Sequence, residues 1–162
     1  MAKQIINAPI LNPYRSKTPR GFYNAIKGHT GLDLKYVNEE LPSPVSGEVV
    51  GLLKQREMGN VMYLEDKQGS VHVFAHLSQF KKNLHDQVKR GDIIAITGNT
   101  GAKTTAPHLH YEILTPKFKV EPLTGRSIGD YLMTRQLYSF KGLNADPLWY
   151  LQTLYKYFKI TF

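Results

Sequence analysis

Four residues stand out for the chemistry they can do: His29, Asp33, His108 and His110. They lie in two short segments, GHTGLD and TAPHLHYE, as an early HxxxD and a late HxH. Imidazole and carboxylate are the usual ligands of a catalytic zinc, which takes three protein ligands and keeps one position for water. Cysteine is absent from all 162 residues, so thiolate metal sites, thiol nucleophiles and disulfides are excluded. Any zinc must be held by His, Asp or Glu, and the combination points to a metal-dependent hydrolase. The sequence has no HExxH and so lacks that motif's general-base Glu. Proton handling then falls to imidazoles, whose unperturbed pKa near about 6.5 suits neutral pH.

The elements that must position these groups read as strands and loops. Gly28, Gly31 and the run Leu-Asp-Leu argue against a helix over HxxxD, which places His29 and Asp33 on a loop entering a strand. On a strand over 108–112, His108, His110 and Glu112 share one side. Glu112 then reads either as a group that orients a ligand from behind or as a solvated strand residue. His72 shares strand parity with His76, but four residues along a strand span about 13 Å, beyond a metal's reach. His72 and His85 are accordingly read as surface histidines.

From Pro44 to Glu112 the pattern is short strands with frequent Gly turns. Val61–Glu65 and Val71–Leu77 flank the turn Asp66-Lys67-Gln68-Gly69 as a hairpin, and strands are also expected over 45–53 and 92–97. The fold class expected is mainly β, an antiparallel barrel or sandwich, with a C-terminal helical extension. Ser127 and Asp130 resemble a capping box opening a helix to about Tyr138. Asp146-Pro147 opens another, along which Leu148, Leu151, Leu154, Tyr155 and Phe158 recur at helical spacing. The expected organisation is a single domain: an N-terminal arm over 1–28, a β core with the site over 29–114, an insertion over 115–145 and a C-terminal helix over 146–162.

Lys and Arg outnumber Asp and Glu by 21 to 13, a net charge of +8 that favours acidic partners. The basic residues are scattered, so nucleic acid is not expected, and an anionic cell wall suits the charge equally well. The start has no apolar run of seven or more and does not read as a secretory signal, and no segment has the length of a membrane span.

Five segments occur in one order: GHTGLDL, PSPVSGEVV, FAHLS, VKRGDIIAITGNTG and TAPHLHYE. Together they resemble the lysostaphin-type (LytM-like) zinc endopeptidases of bacterial cell walls over about residues 28–114, and Asp-Pro-Leu-x-Tyr-Leu at 146–151 looks like that family's closing segment. The resemblance implies a β fold of the duplicated-hybrid-motif kind. It implies Zn2+ as cofactor, held by His29, Asp33 and His110, with His108 and His76 as catalytic histidines. It implies a peptidoglycan cross-link peptide as substrate. The family's Tyr in the Y-A-H-L-S segment is Phe74 here, which removes a hydroxyl. A Tyr often steadies the oxyanion in the family, and Tyr23 is the candidate. Without a recognisable leader the chain resembles a bacteriophage lysin or virion-borne wall hydrolase, acting on the cell wall or in the periplasm. Asn99 and Thr100, in GNTG, read most simply as a Gly-bounded turn, with a place at the border of the substrate groove as the alternative.

Two other classes compete. Lipoyl or biotinyl carriers and sugar-permease phosphocarriers share the barrel-like hairpins, but no modifiable Lys sits in a Met-Lys-Met or Asp-Lys-Ala turn. A phosphocarrier has no need for the Asp of HxxxD. A non-catalytic wall-binding or regulatory module would have lost ligands, and all three are present.

Overall fold

The computed structural model describes residues 2–14, 16, 29–115 and 143–157. A short 3-10 turn at Ile5–Asn7 precedes β1 (Ile10–Asn12), β2 (Leu32–Leu34), β3 (Glu40–Pro42), β4 (Gly47–Gln55), β5 (Gly59–Asp66) and β6 (Val71–Leu77). There follow β7 (Gln79–Phe80), β8 (Gln87–Val88), β9 (Ile93–Ile96), β10 (Leu109–Thr115), β11 (Leu143–Ala145) and the helix α1 (Pro147–Tyr157). The larger sheet has the order β1-β2-β10-β6-β5-β4-β8, and β11 also pairs with β10; the smaller has the order β3-β9-β7. Every one of these pairs is antiparallel. The mainly antiparallel β fold with a C-terminal helix is therefore what the sequence led one to expect. Among the described residues no helix is long and apolar enough to cross a membrane.

The centre of the large sheet is β10 beside β6, and every residue of both strands is buried. β2 takes Leu109–Tyr111 and β11 takes Ile113–Thr115 on one edge of β10, while β6 runs along the other. Strand alternation sorts the two faces. Leu109, Tyr111 and Ile113 join the main core with Leu32, Leu34, Leu64 and Phe74. Val71, Val73, Ala75 and Leu114 form a second apolar cluster with Val61 and Tyr63. Each fully buried side chain of this size stabilises by roughly 1.5–3 kcal/mol before entropy is charged. Phe74 stacks on Tyr111, ring centroids 5.2 Å apart. The missing hydroxyl at Phe74 thus belongs to the core.

Asp66 closes the β5–β6 hairpin. Its Oδ1 accepts the N–H groups of Gln68 at 2.8 Å and Ser70 at 3.1 Å. Such side-chain bonding to the backbone is why Asp favours turns. Asp146 caps α1 in the same way, accepting the Leu148 N–H at 3.0 Å, with Pro147 at the first helical position. Leu151, Leu154 and Tyr155 are buried on the core, as the spacing predicted. Phe158, Tyr23 and the helix expected over 127–138 lie outside the described residues.

One expectation is overturned. His72 is fully buried, not a surface residue. Its parity with His76 fails because a bulge interrupts β6: Asn60 pairs with Leu77 and Met62 with Phe74, so Ala75 and His76 together oppose Val61. A bulge re-aims the residues beyond it. His72 therefore lies with Phe74 on the core side, where its ring stacks with Tyr111, while His76 reaches the opposite face. His85 is exposed, as expected, with Glu48 Oε1 3.0 Å from its Nδ1.

Candidate metal centre

β2 and β10 are neighbours, and their register sets Asp33 directly opposite His110. Leu32 and Leu34 point into the core, so alternation turns Asp33 to the other face. Gly31 lets the preceding loop cross β10: a Cβ there would lie 2.2 Å from the Tyr111 carbonyl oxygen. His29 is thereby brought over the same face. The result is a pocket of about 160 Å3 lined by His29, Asp33, His76, His108 and His110, with Asn12 and Lys103.

Ligand-type atoms converge on Asp33 Oδ1. His110 Nδ1 is 2.8 Å away, His29 Nε2 3.2 Å and His108 Nε2 3.5 Å. His29 Nε2 and His110 Nδ1 are themselves 3.2 Å apart. Bonds of about 2.0–2.1 Å to a tetrahedral zinc set neighbouring ligand atoms roughly 3.3 Å apart. The His29–Asp33–His110 group is the one among the described residues whose donors lie close enough to hold a metal ion.

The second nitrogen of each ring explains why the first is available. A carbonyl oxygen only accepts, so a ring nitrogen facing one carries the hydrogen. His29 Nδ1 donates to the Pro13 carbonyl at 3.1 Å, His76 Nδ1 to Thr100 at 2.8 Å and His108 Nδ1 to Ala106 at 2.8 Å. His110 turns the other way, with Nε2 2.6 Å from Glu112 Oε1. Glu112 is fully buried and also accepts from the Thr30 hydroxyl. Its burial rules out the solvated reading, and its carboxylate lies against the His110 ring. Such outer partners fix the tautomer and raise basicity at the ligand atom.

The pocket's own charges pull its groups apart. Burial opposes ionisation of Asp33, but hydrogen bonds to His108, His110 and His29 hold its carboxyl well below the usual carboxylate range. Burial likewise opposes charge on His110, yet Asp33 and Glu112 push it up to about 10. His108 is raised, burial being outweighed by Asp33 and the Ala106 carbonyl. His76 goes the opposite way, to about 4, through burial first and then the neighbouring His110 and His108. Two imidazoles with ring centroids 4.8 Å apart thus have opposite proton preferences.

Sequence reasoning missed Asn12, Lys103 and Thr30. Asn12 Nδ2 lies 3.4 Å from Asp33 Oδ2, and β1 carries it there by pairing with β2. Thr30 stood inside GHTGLD, but only the fold shows its hydroxyl reaching Glu112.

A His–Asp–His set on a β platform, with further imidazoles beside it, defines a metal-dependent hydrolase site. The chain belongs to peptidase family M23, whose family model matches residues 27–122. Zinc is the family's metal, and the three donors fit it in type and spacing. The chain is 29% identical over 114 residues to peptidoglycan DD-endopeptidase ShyB of Vibrio cholerae, covering 70% of this chain and 26% of that protein. Over 62 residues it is 44% identical to glycyl-glycine endopeptidase ALE-1 of Staphylococcus capitis, covering 37% of this chain and 17% of that one. The antimicrobial peptidase lysostaphin from Staphylococcus simulans superposes with a TM-score of 0.60 at 26% identity, over 78% of this chain and 50% of that chain. The chain spans about a quarter to a third of the length of the first curated relatives it matches.

Proposed function

We propose that this protein is a zinc endopeptidase that hydrolyses peptide cross-links of bacterial peptidoglycan, in the manner of a wall-lytic lysin. The observation that carries the reading is the convergence of His29 Nε2, Asp33 Oδ1 and His110 Nδ1, with Nε2 of His108 beside them. ShyB and ALE-1, both peptidoglycan endopeptidases by name, support the substrate class. The net charge of +8 supports attraction to an anionic wall.

His29, Asp33 and His110 would hold the metal. Bound zinc supplies Lewis acidity at the scissile carbonyl and lowers the pKa of water towards about 7. His76, neutral at pH 7, takes the proton of the attacking water as the carbon–oxygen bond forms. His108, inclined to keep its proton, donates a hydrogen bond from Nε2 to the developing oxyanion. The proton taken up by His76 then passes to the leaving amine as the carbon–nitrogen bond breaks. Groups whose environments drive their pKa values apart are the ones that divide acid and base work. Glu112 and Thr30 keep the His110 ring in place throughout.

Lys103 lines the pocket and offers a cation next to the scissile bond. A direct cross-link to the D-centre of diaminopimelate carries a carboxylate on the carbon beside the scissile nitrogen, whereas a glycine bridge carries none. The lysine favours the carboxylate-bearing bond.

Mass spectrometry of purified peptidoglycan after digestion tests the whole reading. Chelator should abolish release of peptide-cleaved fragments and added zinc restore it, and the fragment masses name the bond. Bound zinc with no release from direct or glycine-bridged walls would overturn the substrate class.

A further inference from the structure

We propose that Thr100 is a positioning residue for His76, so that the GNTG turn acts on the reaction through that imidazole. The proposal rests on the reading of His76 as a proton-transferring group. His76 has a φ of 60°, in the left-handed region that a residue with a Cβ seldom adopts. It reaches the pocket only because the bulge in β6 turns it there. Such a conformation persists where its surroundings over-determine it.

Thr100 supplies most of that surrounding. Its carbonyl accepts the His76 Nδ1–H at 2.8 Å, and its N–H points at the His76 carbonyl from 3.5 Å. The His76 N–H is taken by the Met58 carbonyl at 2.9 Å. The Thr100 hydroxyl then ties both sides of the bulge. It accepts the Asn60 N–H of β5 at 3.1 Å and donates to the Leu77 carbonyl of β6 at 2.7 Å. Those two residues pair across the strands, at the point where regular pairing is lost. Gly59 makes the approach possible, because a Cβ there would sit 2.3 Å from the Thr100 hydroxyl oxygen. Beyond Thr100 the loop is pinned again, Ala102 N–H to Arg56 at 2.9 Å and Lys103 N–H to Glu57 at 3.0 Å.

One residue therefore does two things. Its hydroxyl replaces ladder bonding where the bulge breaks it, and its carbonyl forces the hydrogen of His76 onto Nδ1. Nε2 is then left with its lone pair towards the pocket. A turn residue that merely closed a loop would need neither contact.

The test uses the full chain loaded with zinc, as Thr100→Val, which keeps shape but loses the hydroxyl, and Thr100→Ser, which keeps the hydroxyl. In Thr100→Val, kcat should fall about 10- to 100-fold, a substantial part of what a positioned proton carrier contributes. KM and zinc affinity should stay within about threefold, the mark of an effect on the chemical step. Thr100→Ser should recover most of the rate. Long-range 1H–15N spectra, with His76→Gln for assignment, should show the Nδ1–H tautomer in the native protein and in Thr100→Ser, and a mixture in Thr100→Val, where the hydroxyl's ties to Asn60 and Leu77 no longer hold the Thr100 carbonyl against the ring. An Nε2–H tautomer for His76 in the native protein would overturn the proposal with no variant needed. So would an unchanged kcat in Thr100→Val, or equal losses in both variants. If no peptide is cleaved by the native protein, the role of His76 fails first, and the tautomer comparison still decides the part played by Thr100.

Discussion

Strands β6 and β10 carry a histidine–carboxylate cluster on each face, and the two are built from the same residue types to opposite ends. On the core side both nitrogens of His72 are used, Nδ1 with the Tyr111 hydroxyl at 2.6 Å and Nε2 with Asp66 Oδ2 at 2.9 Å. The Tyr150 hydroxyl donates to the same carboxylate oxygen at 2.5 Å, and Asp66 Oδ1 serves the turn. The donors and acceptors answer one another, as buried polar groups must. On the outer side His29, His76, His108 and His110 each commit one nitrogen to a fixed acceptor and aim the other at Asp33 or the pocket. Closure makes the first cluster a brace. Convergence without closure makes the second a place for a cation and a substrate. Residue type does not separate the two, but the partner of the last nitrogen does.

The largest effect should follow from breaking the outer cluster at its centre. Asp33→Asn removes the charge on which three imidazoles converge, and zinc affinity should fall on the order of 1,000-fold with activity following it. Competition against a chelating dye measures this. Asp66→Asn, the same change in the closed cluster, should leave zinc affinity within about threefold. Equal losses would mean that Tyr111 joins the two clusters into one network. Proton release sharpens the contrast. With His110 pushed up to about 10 by Asp33 and Glu112, a metal must displace its proton at neutral pH. Calorimetry in two buffers of different ionisation enthalpy should find roughly one proton released per zinc, and affinity should rise with pH below 10.

The four candidate groups His29, Asp33, His108 and His110 were legible because HxxxD and HxH are short-range patterns, while the choice of three among them as ligands came from the family resemblance. The hairpin at Asp66 and the start of α1 at Asp146-Pro147 were legible for the same reason, since turn and cap chemistry is local. What escaped was set by pairing between distant segments. The bulge that sends His76 and His72 to opposite faces depends on how β5 meets β6, and no parity argument within β6 contains it. Buried His72 packs against Tyr150, whose hydroxyl reaches Asp66 across 84 residues of sequence. Asn12 and Lys103 come to the pocket on β1 and on the loop before β10, with no spacing relation to the ligands. Glu112 has two readings within its own strand, and the partner that decides between them, the Thr30 hydroxyl, lies 82 residues away in sequence.

The closed cluster should answer in stability. Tyr150→Phe removes one hydrogen bond to a buried carboxylate and should cost about 1–2 kcal/mol. Asp66→Asn also unbalances His72 and should cost about 2–4 kcal/mol, both read by urea denaturation. Burial raises the Asp66 pKa, but His72, Tyr150 and the Ser70 N–H outweigh it, so its net shift is downward. A depressed folded-state value means stability that is present above the ordinary carboxylate pKa and is lost as pH falls through the folded one. Acid should therefore destabilise the native protein more steeply than Asp66→Asn. The kcat of the folded variants should stay within about twofold, because neither side chain reaches the pocket. A catalytic defect as large as that of His108→Ala would end the distinction between brace and site.

The smallest effect tests what the open cluster is open to. Lys103 is exposed, so its attraction for a substrate carboxylate is screened by solvent and salt. A matched pair of cross-linked muropeptides, differing only in whether the diaminopimelate carboxylate beside the scissile bond is free or amidated, isolates that attraction. The native protein should prefer the free carboxylate by about 3- to 10-fold in kcat/KM, close to 1 kcal/mol, and less at high salt. Lys103→Gln should cleave both at nearly the rate of the amidated one. The preference must vanish in the variant, because a general loss of activity would lower both substrates together and leave their ratio intact. A ratio that survives Lys103→Gln assigns the selectivity to another group. A native protein that cuts a glycine bridge faster than either muropeptide reverses the choice of bond while leaving the metal site as it stands.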